Sequence, residues 1–599
     1  MQRMTDAGIV VASVISTNSE FLLVLVLIIP LAGALLAFVC GGRQVERIAL
    51  GVMPLGLVIA LAIAMAHASA GGPLVYLIGG WMPPLGVALR ADGLSIVMMV
   101  ITAVVICAIA VFARADFSTP ASSIETRAPF AFWILLLAIW AALNTIFLGG
   151  DLFTLYVALE LLTFAAVPLV CLDGRVETLR AALRYLLFAL LGSALYLAGT
   201  TLMYGGYGTL DITLLSQRVH AEPVAFVAAA LMTTGLLTKT ALFPLHLWLP
   251  PAHAGAPAAA SAVLSALVVK GSFFIAVRLW FDVMPRVPSP SAMQVLAALG
   301  VGAIVFGSLE ALRQKRLKLL IAYSTLAQIG YLFLMFPLAC PPGSTQIANA
   351  GALAGGMLQA ISHASAKAAM FMAAGLIYAE LGHDRIAGLA SVGRTLPMSV
   401  LTFALAGLAL IGFPASGAYL AKDLLLGAAS ETAQWWWAVA IQAGGILTAS
   451  YVLLVIVHAL TPARRPSVPR KRVSHYQEAA ALALALCSLL LGLIPWGSYL
   501  PLSRDTFSNS LTLSALLGWL WAILGGAVLA ILLGRWDPRL VRLPFTRNLF
   551  AAFRAAQYAG LGMSRIFAEL DARLQQWPVA GACLLVVLIV FGMTLEVCR

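Results

Sequence analysis

Long apolar runs separated by short polar stretches follow one another along almost the whole chain. About 20 apolar residues cross a bilayer as a helix. On that measure spans are predicted near 20–40, 48–69, 93–113, 130–149, 151–172, 181–205, 223–250 and 256–280. A second set is predicted near 292–312, 317–339, 347–379, 397–430, 434–460, 477–500, 513–534 and 578–597. The pattern predicts an all-α polytopic membrane protein of about 14–16 transmembrane helices. The N-terminal MQRMTDAGIVVASVISTNSE reads as an exported tail, since no clear small-residue cleavage site follows its short apolar run.

Loop charge tests the segmentation independently. Loops after odd-numbered spans carry Arg43, Arg114, Arg175, Arg316, Arg394 and Arg465, with further arginines from Arg535 to Arg573. Loops after even-numbered spans carry little beyond Arg90, Arg218, Arg286 and Arg504. By the positive-inside rule the odd loops face the cytoplasm and both termini lie outside, as expected of a bacterial-type inner membrane protein.

Two spans read as broken. The seventh contains Pro244 in LLTKTALFPLHLWLPPAH, and the twelfth contains Pro414 between Gly412 and Gly417. Proline removes a backbone hydrogen bond and clashes with the preceding turn. In lipid this is tolerated where the freed groups line a protein cavity or meet water. Paired breaks of this kind point to a transport site. Arg184, Phe188 and Gly192 match Lys367, Phe371 and Gly375, and Lys239 and Lys422 are displaced by the same interval, as in an internal repeat.

Of the 599 residues, 62% are hydrophobic and only 10% charged, against about 25% charged in soluble domains. The formal charge of +12 is accounted for by loops, so no nucleic-acid partner is expected. Seven cysteines without a C-x-x-C pair give no zinc, iron–sulfur or disulfide framework. His246 and His253 have no carboxylate or thiolate near them in sequence, so no metal is expected. With no glycine-rich nucleotide loop either, no cofactor is expected.

Five charges stand against this apolar background. Lys239, Lys270, Lys367, Lys422 and Glu160 lie deep inside predicted spans. A charge at the bilayer centre costs at least about 2.5–3.5 kcal/mol, so these groups are expected to face inward and share one layer. Lysine holds or releases a proton and offers no ligand to a metal cation, which points to proton movement. His363 lies four residues before Lys367 on the same helix face. His246, His253 and His363 are relay candidates, with Ser324, Thr325 and Gln328 as hydroxyl and amide links. Asp92, Asp151 and Glu310 lie near span ends and read as boundary charges.

These residues sit in stretches that resemble a known family. The stretches are Leu159-Glu160-Leu161, TKTALFPLHLWLPPAHAGAP, VLSALVVKGSFF, KRLKLLIAYSTLAQIGY, HASAKAAMFMAAG and IGFPASGAYLAKDLLL, in order over roughly residues 90–460. They resemble the antiporter-like subunits shared by respiratory complex I, Mrp-type cation/proton antiporters and energy-converting membrane hydrogenases. The resemblance implies two inverted five-helix repeats, at 130–280 and 292–460, between N-terminal helices at 1–129 and C-terminal helices at 477–599. It also implies that Glu160 is the fifth-helix glutamate, Lys239 the lysine of the broken seventh helix, Lys270 the bridging lysine, and Lys422 the twelfth-helix group. Pro251 stands where many complex I members carry an acidic residue, which is closer to Mrp D-type or hydrogenase-type subunits. A basic amphipathic segment near 540–577 is expected to lie along the membrane.

The reading is a proton-translocating subunit of a multisubunit complex, partnered by other membrane subunits and coupled to a redox arm or an ion gradient. Protons are the expected ion, with sodium left open. The rivals are a monovalent cation/proton antiporter subunit, the membrane module of an inorganic-carbon uptake system, and a scaffold whose buried charges merely fix helix pairing.

Overall fold

The apolar runs fold as helices because a helix satisfies every backbone donor and acceptor within one segment, as a bilayer demands. The computed structural model describes residues 18–120, 122–287, 289–340, 349–462, 473–502, 512–532 and 566–596. The first six spans are Asn18–Cys40, Gln44–Ala70, Gly93–Ala113, Arg127–Leu148, Leu152–Val170 and Val176–Tyr207. The seventh is split into Pro223–Thr240 and Leu249–Gly255. Ala258–Val283, Pro290–Arg313, Leu317–Ala339 and Ala350–Leu381 follow. The twelfth is split into Pro397–Ile411 and Gly417–Glu431, and Trp435–Leu460, His475–Leu490, Leu513–Leu532 and Trp577–Glu596 complete the set. Among the described residues 15 helices are long and apolar enough to cross a membrane; the split twelfth supplies the sixteenth.

Both breaks fall at the predicted prolines. Thr240 ends the first piece of the seventh span, and Ala241 adopts a left-handed backbone there. Gly412 does the same at the end of Pro397–Ile411. Acidic side chains set several of the helix starts. Asp92, Asp151 and Asp211 each accept a hydrogen bond from a backbone N–H three residues on, at 3.0, 2.8 and 2.9 Å. These are N-caps, so Asp92 and Asp151 mark boundaries as expected. Glu310 pairs with Arg313 at the end of the ninth span.

The eighth, tenth and eleventh spans are almost wholly buried and form the centre of the bundle, whereas the fifteenth is largely exposed. The loops sort by parity. Asp173, Arg175, Ala256 and Arg316, all from loops after odd-numbered spans, line one cavity of about 740 Å³ together with Lys318. Arg90, Gly149, Asp211 and Pro285, from loops after even-numbered spans, line another of about 750 Å³.

Two elements were not foreseen. An antiparallel hairpin pairs Leu74–Leu77 with Ala88–Ala91, and a short helix covers Ile212–Arg218. The strands, of 4 residues each, and the helix, of 7, are too short to display a periodicity. The N-terminal tail over 1–17, and residues 540–565 of the amphipathic segment, lie outside the described residues; residues 566–574 are helical.

Small residues let the sixth and seventh spans touch backbone to backbone. A Cβ on Gly235 would stand 2.3 Å from Gly192 O and 3.0 Å from Tyr196 N. Neither backbone atom can yield without the helices parting. Gly235→Ala is therefore expected to cost about 1–3 kcal/mol, the usual penalty of overpacking. The loss should appear as a melting temperature several degrees lower for the solubilised protein.

Candidate functional site

Irregular backbone supplies the oxygens that hold two of the buried lysines, Lys270 and Lys422. In the eighth span, Leu264–Val268 forms a π-helical turn, an arrangement that leaves carbonyls outside the regular ladder. Lys270 Nζ donates to one of them, Ser265 O, at 2.5 Å. At the twelfth-span break, Lys422 Nζ donates to Leu410 O at 2.9 Å and Ile411 O at 3.1 Å. Its ammonium also lies 5.0 Å from the centre of the Tyr331 ring, a cation–π distance. At the seventh-span break Trp248 Nε1 satisfies Thr238 O at 3.0 Å.

Lys239 is held from the fifth span. Its Nζ donates to Thr163 Oγ1 at 2.8 Å and Leu159 O at 3.3 Å, while Glu160 Oε1 stands 3.8 Å away. Glu160 Oε1 is buried and has no hydrogen-bond partner among the described residues. The pair is in Coulombic contact but not hydrogen-bonded, so the ammonium rests on neutral oxygens with its counter-charge beside it. Lys367 Nζ donates to Ser324 Oγ at 2.5 Å. Among the described residues Glu160 is the only carboxylate in ion-pair contact with any of the four lysines.

Hydroxyls and amides bridge the spans that carry these lysines. Thr240, next to Lys239, donates through Oγ1 to Ser272 Oγ of the eighth span at 2.9 Å. Ser265 Oγ and Thr325 Oγ1 lie 2.8 Å apart and link the eighth span to the tenth. The tenth and eleventh spans then meet through two residue pairs. Ser324 takes Lys367, and one turn further Gln328 Oε1 accepts from Gln359 Nε2 at 2.9 Å. Gln328 Nε2 reaches the thirteenth span at Thr448 Oγ1 and Tyr451 OH, at 3.1 and 3.3 Å. Gln359, His363 and Lys367 recur every fourth residue and share one face of the eleventh span. The ring nitrogens of His363 are buried with no partner among the described residues.

The remaining candidates are placed as follows. His253 is buried and stacks on Phe371 at 4.7 Å, one turn beyond Lys367. His246 lies in the seventh-span break, between Phe243 at 5.7 Å and Phe306 at 5.1 Å. Pro244 and Pro414 sit in the two breaks. Sequence reasoning missed Thr163, Tyr331, Gln359 and Lys318. Lys318 is buried beside the first cavity and donates to Ala256 O at 3.1 Å. Its signal was a basic residue at the start of an otherwise apolar run. At the second cavity, Asp92 meets the Arg278 guanidinium through two contacts of 2.6 Å. Burial alone would raise the Asp92 carboxyl, but Arg278 and the Ser95 N–H override it and hold it at about 2.

A family profile described as "NADH:quinone oxidoreductase/Mrp antiporter, TM" matches residues 149–448. The chain belongs to this family. It is 30% identical over 503 residues to NADH-quinone oxidoreductase subunit N of Desulforudis audaxviator, covering 80% of this chain and 95% of that protein. It is 27% identical over 442 residues to a Na(+)/H(+) antiporter subunit of Alkalihalophilus pseudofirmus, covering 73% and 86%. A chain of the Mrp complex from Dietzia sp. DQ12-45-1b superposes with a TM-score of 0.72 at 23% identity, over 85% of this chain and all of that one. At that identity the superposition supports the fold alone. Like those relatives, this member of the family is a multi-pass membrane protein.

Proposed function

We propose that this chain is a proton-translocating membrane subunit of a larger complex, with the buried row from Glu160 and Lys239 through Lys270 and Lys367 to Lys422 as its path. The observation that carries this reading is a set of polar bridges between the spans that hold the row. Thr240 meets Ser272, Ser265 meets Thr325, Ser324 meets Lys367 and Gln328 meets Gln359, across the seventh, eighth, tenth and eleventh spans. A buried ammonium without a counter-ion costs several kcal/mol, roughly, and giving up its proton removes that cost. Lys270, Lys367 and Lys422, resting on neutral oxygens, are suited to passing protons; Lys239, beside Glu160, is suited to being switched by a partner that approaches or withdraws.

His363, His253 and His246 serve as relays in this reading, and the two cavities serve as the mouths on either face. Loop charge supports a cytoplasmic position for the cavity bounded by odd-numbered loops, and with it both termini on the outer side of an inner membrane. The division into two inverted five-helix repeats, flanked by N-terminal and C-terminal helices, accommodates one broken span in each half. The names of the relatives, subunits of quinone oxidoreductases and of antiporters, favour partner membrane subunits and an energy source outside this chain.

The test is proton uptake by vesicles containing the complete complex, driven by its native energy source. Lys367→Met is expected to lower uptake by about a hundredfold or more, the scale of losing a positioned acid–base group, with unchanged amounts of assembled complex. Wild-type vesicles that move no protons, or a Lys367→Met complex that moves them normally, would refute the proposal.

A further inference from the structure

One carboxylate at the seventh-span break comes from outside the two predicted repeats. Residues 566–574 form a helix whose Leu574 is buried and whose Phe567 ring lies 6.2 Å from Phe306 of the ninth span. Trp577, at the start of the last span, stacks on Phe188 of the sixth at 5.5 Å. Anchored at both ends, this helix brings Asp571 to the break. Asp571 Oδ2 accepts from Tyr323 OH at 2.8 Å and from Gln575 Nε2 at 2.7 Å. Its Oδ1 is buried without a hydrogen-bond partner among the described residues, and so are both ring nitrogens of His246. The orphaned Oδ1 and His246 Nε2 face one another at 3.9 Å. That is beyond hydrogen-bond reach and within ion-pair reach.

We propose that Asp571 is a positioning residue for proton transfer, the fixed counter-charge of His246, supplied to the broken seventh span by the C-terminal helix. This rests on the translocation reading above. Tyr323 and Gln575 hold one carboxylate oxygen, so the carboxylate is aimed and the other oxygen is left for the imidazole. Phe243 and Phe306 pack against the ring and keep other partners away. Among the described residues, other charged groups near this seam are engaged with one another. Glu310 pairs with Arg313 on the ninth span, and Glu569 with Arg573 on the C-terminal helix itself. An imidazolium at position 246 thus meets a carboxylate, and a neutral imidazole meets the same carboxylate without that attraction. Asp571 lies outside residues 149–448, the stretch that matches the family profile.

The experiment follows the imidazole ¹⁵N signals of His246 in the assembled complex at one fixed pH, assigned by their loss in His246→Gln. Asp571→Asn keeps acceptors for Tyr323 and Gln575 but removes the charge. It is expected to shift the His246 signals and to lower proton uptake. Asp571→Glu should restore both. Identical His246 signals in wild type and Asp571→Asn would overturn the proposal. The signals are read without transport, so they stand apart from the uptake assay that tests translocation.

Discussion

Lys239→Ala is expected to abolish coupled proton movement while the complex still assembles. The substitution removes the one lysine that has a carboxylate beside it, together with its bonds to Thr163 Oγ1 and Leu159 O. Glu160 retains partial exposure on its side chain, 17%, so it is not stranded in a sealed apolar pocket. The packing loss is that of a truncated buried side chain, about 2–5 kcal/mol, spread over a bundle of sixteen spans. Lys239→Arg separates the two roles this residue could play. A guanidinium keeps the charge opposite Glu160 and would rescue a purely structural pair, but it does not release its proton at accessible pH. Uptake by Lys239→Arg vesicles should therefore fail as completely as by Lys239→Ala. Normal transport in Lys239→Arg would show that the pair is a static brace and would favour the scaffold reading.

The positions of the buried charges were legible in the sequence because a lysine inside an apolar run is costly and conspicuous. Span order and the two breaks were legible for the same reason, since Pro244 and Pro414 interrupt otherwise continuous runs. What holds each lysine was not legible. The π-helical turn that exposes Ser265 O falls in AVLSALVV, which contains neither proline nor glycine to announce it. Thr163 is one turn from Glu160 on the fifth span, yet a threonine in an apolar helix ordinarily bonds back to its own turn. Thr163 does so as well, donating to Leu159 O at 2.8 Å. Gln359 could have been found from its spacing to His363 and Lys367, since three polar residues at every fourth position mark a face. The meeting of His246 with Asp571 had no local signal, because the two are joined only when the C-terminal helix docks across the bundle. The expectation that no carboxylate lies near His246 held along the chain and failed in space.

Proton uptake by the complete complex is expected to persist in sodium-free medium and to depend on pH. A hard cation wants several oxygen ligands, and broken helices supply such oxygens in other transporters. In this fold oxygens beside irregular backbone already have donors: Leu410 O and Ile411 O are taken by Lys422, Ser265 O by Lys270 and Thr238 O by the Trp248 indole. Around the fifth span, Leu159 O, Thr163 Oγ1 and Glu160 Oε1 converge on a point already filled by Lys239 Nζ. Sodium could enter there only by displacing a lysine that carries the same charge, and it would meet the repulsion of that lysine on arrival. The likeness to an antiporter subunit makes the comparison worth running in both media, with wild type and Glu160→Gln. Equal uptake with and without sodium, reduced in both media by Glu160→Gln, is the expected result. A strict sodium requirement that Glu160→Gln removes would place a cation site at the fifth span and overturn the proton-only assignment.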